Sequence, residues 1–181
     1  RRGWIEPIKY KEIDVDDGVK PRRVQVVSIE DRIKASAVMN VVDKHLKKRF
    51  IRTSSASIKN RGMHDLMRYM LEDPEGTKYV YKFDIKKFYE SVVQDFVMYC
   101  VKKIFKDNIL ISILEKLVRM LSKGISIGLR SSQGLGNLLL SVFLDHYLKD
   151  RHGVAHFYRY CDDGVVLAKT KEELWNIRSI I

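Results

Sequence analysis

The N-terminal part of the chain carries hydrophobic patterns that predict a strand followed by a helix. Side chains alternate from Lys20 to Val27, which is typical of a strand or of one arm of an extended hairpin. The next residues, Ser28–Asp31, fit a capping box with Ser28 as the N-cap of a helix. Apolar residues then recur at helical spacing, and the pattern assigns these positions to the buried face: Ile33, Ala37, Val38, Val41, Val42, Leu46 and Phe50.

A second, short helix is predicted by an apolar stripe at Met63, Leu66, Met67 and Met70. Methionine fills irregular gaps in protein interiors, so we interpret this stripe as core rather than as a binding surface. A polar, turn-rich break around Pro74 follows and separates the two halves of the chain.

The second half begins with a strand from Lys78 to Asp84, which is rich in aromatic residues and valine. Ser91–Gln94 fits another capping box, which predicts the start of a helix there. A further helix is expected over residues 109–121, with Gly124 as its C-cap glycine.

Gly124–Gly136 reads as a glycine-rich loop that leads into an apolar helix reaching about Asp150. Val154–Tyr160 and Val165–Ala168 predict two strands joined by a tight hairpin, and a last helix begins near Lys171. Helices mixed with an antiparallel hairpin favour an α+β fold over a doubly wound parallel sheet.

Charge points to a polyanionic partner. The formal net charge is +11 and the isoelectric point is about 9.6. Lys44–Arg61 contains seven Lys and Arg and no acidic residue. Such a surface favours nucleic acid, although ribosomal and membrane-surface proteins have similar charge and a solvated helix face explains a basic run equally well.

Several other classes of protein are disfavoured. No apolar run approaches the ~20 residues that a membrane helix needs, so we expect no membrane partner. The first residues are not followed by the apolar region of a signal peptide. Cys100 and Cys161 lie far apart and form no CxxC pair, which argues against zinc and against a disulfide framework. We therefore expect a reducing, cytoplasmic setting.

Three carboxylates stand out as candidate metal ligands. Asp162 and Asp163 lie at the predicted hairpin tip, where adjacent negative charges are costly unless a cation neutralises them. An Asp-Asp-Gly turn in which aspartate serves the backbone is the alternative. Asp84 ends a hydrophobic strand, as a turn or N-cap residue or as the third carboxylate of a two-metal site.

Three segments in order resemble the conserved motifs of reverse transcriptases. Phe83–Ser91 resembles motif A, Gly124–Asn137 resembles motif B, and Tyr160–Asp163 resembles the Tyr-x-Asp-Asp box of motif C. Arg22–Arg32 and Ser57–Gly62 resemble blocks of the group II intron and retron-type enzymes. The resemblance covers most of residues 20–175 and implies the bacterial branch of the family.

The resemblance also implies an architecture. We expect the fingers and palm of a right-hand polymerase, with an antiparallel palm sheet, packed helices and no thumb within this chain. Residues 1–76 would form a basic, fingers-like region. Residues 77–181 would form the palm, with part of the fingers inserted around residues 94–125.

The same resemblance assigns roles around the metal ions. Asp84 and Asp162 would be the principal ligands, Asp163 would assist, and the carbonyl of Ile85 would add a ligand. Two Mg²⁺ ions are implied, with Mn²⁺ bound similarly. They would activate the primer 3′-hydroxyl and bind the incoming triphosphate.

Nucleotide contacts follow from the same motifs. Phe88 would be the sugar gate that rejects a ribose 2′-hydroxyl, with Tyr89 as the alternative gate and core packing as the alternative role of Phe88. Gln133 would touch the nascent base pair or the template, unless its glycine-rich segment is only a helix N-terminus rich in turn residues. Arg23 and Arg32 would hold the triphosphate, since guanidinium binds phosphate oxygens in a fork, or would only be solvated.

Contacts with the nucleic acid itself are implied for three more residues. Lys59 and Arg61 would contact its backbone, which positions the strand without reading sequence. Gly134 would let the protein backbone approach the nucleic acid closely. Group II intron enzymes usually have proline before the motif B glutamine, whereas this chain has Ser132, as in retron and diversity-generating retroelement enzymes.

The predicted function is that of an RNA-directed DNA polymerase that extends a DNA primer on an RNA template with deoxynucleoside triphosphates. Two alternatives remain open at this point. One is a non-catalytic, maturase-like RNA-binding module, and the other is a defence-type polymerase that adds nucleotides without a template.

Overall fold

A computed structural model describes residues 7–16, 18, 21–72 and 76–181. The predicted turn at Pro74 and the predicted strand start at Lys20 lie outside the described residues. The chain forms two compact units. Unit 1 combines the residues up to Lys48 with Lys87–Leu138, and unit 2 combines Arg49–Lys86 with Leu139–Ile181. Neither unit ends at residue 76, so the division into fingers (1–76) and palm (77–181) stays a prediction about function.

Unit 1 begins with an antiparallel hairpin of β1 (Tyr10–Asp16) and β2 (Pro21–Val27). Helix α1 (Ile29–Leu46) follows, and a 3₁₀ turn over Lys47–Arg49 continues it. The Ser28 hydroxyl accepts a hydrogen bond from the Asp31 amide at 3.1 Å, which confirms the predicted N-cap.

The buried face of α1 differs from the predicted one. Ile33 and Val41 are 64% and 54% exposed, so their assignment to the core was wrong. The interior positions keep helical spacing but are rotated round the axis, because apolar residues occur on most sides of this helix and periodicity alone does not select one. The buried residues are Ala35, Met39, Val42 and Leu46.

The second segment of unit 1, Lys87–Leu138, begins with two helices. These are the one-turn helix α3 (Phe88–Ser91) and helix α4 (Gln94–Ile104). The predicted capping box at Ser91 was wrong. Its hydroxyl donates to the Phe88 carbonyl at 2.9 Å, and α4 begins after Val93 without a side-chain cap. Gln94 instead donates from Nε2 to the carbonyls of Leu121 (2.9 Å) and Gly124 (2.8 Å) and so connects α4 to the loop after α5.

Helix α5 (Asn108–Val118) is capped by Asp107, whose carboxylate accepts from two backbone amides. The helix ends before Arg119, so Gly124 is not its C-cap. Gly124 has φ +71°, and a Cβ placed there would lie 2.5 Å from the carbonyl oxygen of Tyr89. Glycine is needed here for its left-handed backbone and for its lack of a side chain.

Helix α6 (Arg130–Leu140) starts inside the segment that we predicted to be a glycine-rich loop. Glycine lowers helix propensity by only about 1 kcal/mol, and close helix packing outweighs that preference here. Two π-helical segments, Ser141–Asp145 and Tyr147–Arg151, follow α6, so the predicted extent to about Asp150 is confirmed.

His146 lies between these π-helical segments with both ring nitrogens facing oxygen atoms. Nδ1 lies 2.6 Å from the Asp150 carboxylate, and Nε2 lies 2.7 Å from the Arg49 carbonyl. Partial burial opposes the charged form, but these two hydrogen bonds outweigh burial and raise the pKa of His146 above its ordinary value. Both partners can only accept, so the arrangement suits the doubly protonated imidazolium.

Unit 2 is built on a four-stranded sheet. Strand β3 (Ser54–Ser55) pairs in parallel with β5 (Phe157–Tyr160), which pairs antiparallel with β6 (Asp163–Ala168). Strand β4 (Tyr79–Asp84) pairs antiparallel with β6 at the other edge. The observed order β3-β5-β6-β4, together with the helices, confirms the predicted α+β fold and the antiparallel hairpin.

Besides the π-helical segments, the described part of unit 2 contains helices α7 (Lys171–Ile180) and α2 (Met63–Glu72). Helix α7, capped by Thr170, packs on β4 and β6. Its Ile177 joins a core cluster with Phe157, Val166 and Leu148.

Helix α2 (Met63–Glu72) packs near β5, where Leu66 contacts Tyr158 and Leu167. Met70 packs against this cluster, but Met63 and Met67 are each 52% exposed. The prediction that the methionine stripe fills the core was therefore wrong for these two residues. Among the described residues, no helix is long and apolar enough to cross a membrane.

Candidate active site

The hairpin between β5 and β6 closes with a two-residue loop, Cys161-Asp162, because Tyr160 pairs directly with Asp163. Cys161 adopts φ +57°, a left-handed conformation that is uncommon for a residue with a side chain. Such strain persists only where the surrounding structure holds it in place, and it is often found at functional sites.

Strand β4 brings the distant aspartate to this hairpin. In the β4–β6 ladder, Asp84 lies directly opposite Asp163. One residue further on, the Ile85 amide donates to the Asp162 carbonyl at 3.3 Å. Like charges directly opposite each other destabilise a sheet. The ladder therefore creates a locally unfavourable concentration of negative charge, as a cation-binding site requires.

Lys82 is a neighbour of the carboxylates that the sequence analysis did not single out. Its Nζ lies 3.5 Å from Asp163 Oδ1, and residues two apart on a strand share a face, so Lys82 and Asp84 project on the same side. The side chain is 70% exposed, which makes the ion pair weak. The alternation Lys82-Phe83-Asp84 was the signal that could have identified it.

Carboxylate oxygens are the donors that this edge of the sheet offers to a metal ion. Among the described residues, no three His, Cys, Asp or Glu side chains lie close enough together to hold a metal ion by themselves. Magnesium is usually held by one or two carboxylates together with water and substrate phosphates. The two opposed carboxylates of Asp84 and Asp163 are hard oxygen donors, and with Asp162 in the adjacent turn they fit that chemistry.

A buried ion pair beneath the turn also escaped the sequence analysis. Arg159 and Asp145 have no exposed side-chain surface, and Nε and Nη2 of the arginine meet the two carboxylate oxygens at 2.6 and 2.8 Å. Two opposite charges within otherwise apolar segments, 14 residues apart, were the available signal.

The two candidate sugar gates differ in accessibility. Phe88 is 6% exposed, and a Cβ on Gly136 would approach its ring to 3.0 Å, so the ring is packed against α6 within unit 1. Tyr89 is half-buried, and its ring lies edge-on to Phe88 with the centroids 5.3 Å apart. This packing is what the core alternative for Phe88 predicts.

Gln133 and Gly134 lie in the first turns of α6 rather than in a loop, which corrects their predicted setting and agrees with the alternative of a helix N-terminus. Gln133 is exposed on the helix surface. Gly134 is buried against α1, where an added Cβ would lie 2.7 Å from Met39 Cε and 3.2 Å from an Asp43 carboxylate oxygen. The absence of a side chain at Gly134 thus allows two helices to pack closely, and its contact with nucleic acid stays a prediction.

The two arginines proposed for the triphosphate differ in their surroundings. Arg23 faces Asp14 at 3.4 Å and Glu12 at 3.9 Å. It lines a cavity of about 350 Å³ together with Glu90 and other residues of unit 1. Arg32 is exposed on α1. Arg23 thus already has carboxylate neighbours, with which a triphosphate would compete.

The residues predicted to contact the nucleic acid backbone belong to one loop of unit 2. Lys59 is exposed. Arg61 is half-buried, and its Nη1 donates to the Ile51 carbonyl at 2.6 Å. Arg61 therefore stabilises the loop that carries Lys59, whatever further contacts its remaining N–H groups make.

Comparison with known families decides what these motifs belong to. The family described as Reverse transcriptase (RNA-dependent DNA polymerase) matches residues 15–181. The chain belongs to the reverse transcriptase family. No curated protein matches the sequence.

Solved telomerase structures share the fold of this reverse transcriptase domain. Telomerase from Candida albicans, in complex with a TWJ fragment of telomeric RNA, superposes with a TM-score of 0.73 at 13% identity, over 94% of this chain and 39% of that one. Apo telomerase from Candida tropicalis gives 0.67 at 13% identity, over 95% and 41%. A form of the latter truncated from the C-terminal domain gives 0.65 at 14% identity, over 99% and 47%.

The chain thus spans less than half the length of these telomerases. Within this reverse transcriptase domain, the predicted metal ligands Asp84, Ile85, Asp162 and Asp163 all belong to unit 2, together with Lys59 and Arg61. The other predicted contacts belong to unit 1, namely Arg23, Arg32, Phe88, Tyr89, Gln133 and Gly134.

Proposed function

We propose that this protein is an RNA-directed DNA polymerase that extends a DNA primer on an RNA template. The observation that carries the proposal is the β4–β6 register, which sets Asp84 opposite Asp163 beside the strained Cys161-Asp162 turn. Membership of the reverse transcriptase family supports the same reaction.

The proposed metal site uses Asp84, Asp162, Asp163 and the Ile85 carbonyl to hold two Mg²⁺ ions, or Mn²⁺ in their place. When bound, the ions supply charge neutralisation at the triphosphate and lower the pKa of the attacking hydroxyl. The protein's own contribution is to hold the carboxylates in fixed positions. Lys82 compensates part of their charge on the same face of the sheet.

For the incoming deoxynucleotide, we propose Tyr89 as the sugar gate in preference to Phe88. Phe88 packs in the interior with 6% exposure, whereas Tyr89 keeps accessible surface. Gln133, exposed on α6, is proposed to contact the nascent base pair, and Arg23 and Arg32 to contact the triphosphate. Lys59, Arg61 and Gly134 remain proposed contacts with nucleic acid.

We further propose that the protein belongs to the bacterial branch of the family and acts in the cytoplasm. The branch rests on the sequence of motif B, where Ser132 precedes Gln133, and on the basic N-terminal blocks.

The test is primer extension on an RNA template with Mg²⁺ and deoxynucleoside triphosphates. Wild type is compared with Asp162→Asn/Asp163→Asn, which removes both charges and keeps side-chain shape. Asp107→Asn is the matched control, because this exposed N-cap loses its charge while asparagine caps a helix equally well. The same assay is run on this chain and on any longer natural form of it.

Extension by wild type and the control, with loss in the double variant, is the expected result. RNA binding measured in parallel should be retained by all three proteins. Equal extension by the double variant overturns the metal site. RNA binding without extension by any protein favours a binding module, and nucleotide addition without a template favours the template-independent polymerase.

A further inference from the structure

The buried ion pair beneath the Cys161-Asp162 turn has a geometry more specific than stabilisation of the fold requires. Asp145, in the first π-helical segment, and Arg159, in β5, are both fully buried. The carboxylate and the guanidinium meet in a bidentate fork, with N–O distances of 2.6 and 2.8 Å. This geometry fixes the plane and the direction of the guanidinium.

The third guanidinium nitrogen connects the fixed guanidinium to the turn. Arg159 Nη1 donates to the Cys161 carbonyl at 2.6 Å. That carbonyl belongs to the peptide unit between Cys161 and Asp162, so the hydrogen bond fixes the orientation of the backbone that carries a proposed metal ligand. Asp145 orients the guanidinium, and the guanidinium orients the turn.

Strand β3 adds backbone support on the same side. The Arg159 amide donates to the Thr53 carbonyl at 3.0 Å, and the Cys161 amide donates to the Ser55 carbonyl at 3.3 Å. Both hydrogen-bonding groups of the Cys161 backbone are therefore engaged. This arrangement explains how Cys161 keeps φ +57° without the freedom of glycine.

Energetics give the pair no clear purpose in stability. Burial of two charges costs desolvation energy that their attraction only partly returns, and replacement of such a pair by apolar residues of similar volume is often neutral or stabilising. The pair is thus better explained by what it orients than by what it contributes to folding.

We propose that Asp145 and Arg159 are positioning residues that hold the Cys161-Asp162 turn in the geometry needed to bind metal. The inference rests on the proposed metal site of the polymerase. Outer partners that orient metal ligands typically contribute about 10–100-fold to metal affinity or activity, and we expect an effect of that size here.

The experiment separates positioning from folding. Asp145→Leu/Arg159→Met replaces the pair by apolar side chains and leaves the Cys161 carbonyl without its donor. Arg159→Lys keeps a cation for Asp145, but a single ammonium cannot reproduce the planar fork that reaches both the carboxylate and the carbonyl. Arg178→Met, at an exposed arginine of α7 stacked on Trp175, is the matched control in the same unit.

Three quantities are measured: the urea midpoint of unfolding, the dissociation constant of Mn²⁺ alone from its free-ion EPR signal, and the rate at which the Cys161 thiol reacts with a disulfide reagent. We expect the double variant to keep its unfolding midpoint within the range of the control. Its Mn²⁺ affinity should fall at least about tenfold, and Cys161 should react faster because its turn is released.

Arg159→Lys should reproduce the loss of Mn²⁺ affinity, and it carries the test if the double variant does not fold. Wild-type Mn²⁺ affinity and wild-type thiol reactivity in both variants would overturn the inference, as would a wild-type protein that binds no Mn²⁺. If wild type binds Mn²⁺ and the variants bind it more weakly, the inference stands even where no primer is extended. Metal binding without primer extension would contradict only the proposed polymerase activity.

Discussion

Gly124→Ala should destabilise the protein by an amount that the structure allows us to calculate. Gly124 has φ +71°, and an L-residue in the left-handed region costs about 1–2 kcal/mol. The new methyl group would lie 2.5 Å from the Tyr89 carbonyl oxygen and 2.9 Å from Glu90 Cα. Both are backbone atoms that cannot rotate away, so overpacking adds about 1–3 kcal/mol.

The unfolded chain offsets part of this loss, because alanine has less conformational freedom there than glycine, by about 0.4–1 kcal/mol. The net expectation is a loss of roughly 1–4.5 kcal/mol, a large part of the roughly 5–15 kcal/mol that stabilises a typical domain. At about 2–4 °C per kcal/mol for a chain of this size, the midpoint of thermal unfolding should fall by roughly 2–18 °C.

The matched control is Gly18→Ala in the same unit. Gly18 has φ +80°, but no heavy atom of the described residues lies within 4 Å of an added Cβ, so this variant reports backbone strain without the clash. Urea unfolding of both variants, read as the free energy of unfolding, should separate them by about 1–3 kcal/mol. Equal free energies for the two would refute the close approach of Gly124 to Tyr89.

Three further predictions use other parts of the molecule. His146 has a raised pKa, so its contribution to stability is complete below its unfolded-state pKa near 6.5 and is lost as pH rises through the higher folded-state value. The free energy of unfolding of wild type, measured in urea, should therefore fall over that pH range, and the fall should be less steep in His146→Gln. Burial raises the pKa of Cys100 to about 11, so a thiol reagent at neutral pH should modify Cys161 alone in the native protein and both cysteines after denaturation. Phe88→Ala should cost about 3–5 kcal/mol of stability, whereas Tyr89→Ala should cost less and admit ribonucleotides in primer extension.

Each of these has an outcome that contradicts it. If the free energy of unfolding depends on pH as steeply in His146→Gln as in wild type, the imidazole is not charged in the folded protein. Reaction of two thiols in the native state would show that Cys100 is accessible. Ribonucleotide incorporation by Phe88→Ala, with full discrimination by Tyr89→Ala, would restore Phe88 as the gate.

Much of the local structure was predictable because its causes lie within a few residues. The Ser28 cap forms between a hydroxyl and an amide three residues away, and the aromatic residues and valine over Lys78–Asp84 favour a strand without reference to the rest of the chain. The tight hairpin at Cys161-Asp162 is local in the same way. The three motifs, in order, were sufficient to predict the family.

Predictions failed where a distant partner decided the outcome. Gln133 and Gly134 were placed in a loop because glycine favours loops, yet Gly134 is helical, since its missing side chain lets α6 pack against α1. Ser91 had the sequence of an N-cap, but it ends one short helix rather than beginning the next. Ile33 was assigned to the buried face of α1, but the side chains that α1 buries lie on another face of this helix.

The sequence by itself indicated strands β2, β4, β5 and β6, most of the helices, the family and the three aspartates as candidate metal ligands, but not strands β1 and β3. Only the tertiary structure decided that Asp84 lies opposite Asp163 in register and that Arg159, paired with the buried Asp145, donates to the Cys161 carbonyl. Strand register and charge pairing depend on groups brought together from distant positions in the chain. Because neither interaction leaves a periodic trace in the sequence, only the folded chain shows which carboxylates lie opposite each other and which buried charges contact the turn.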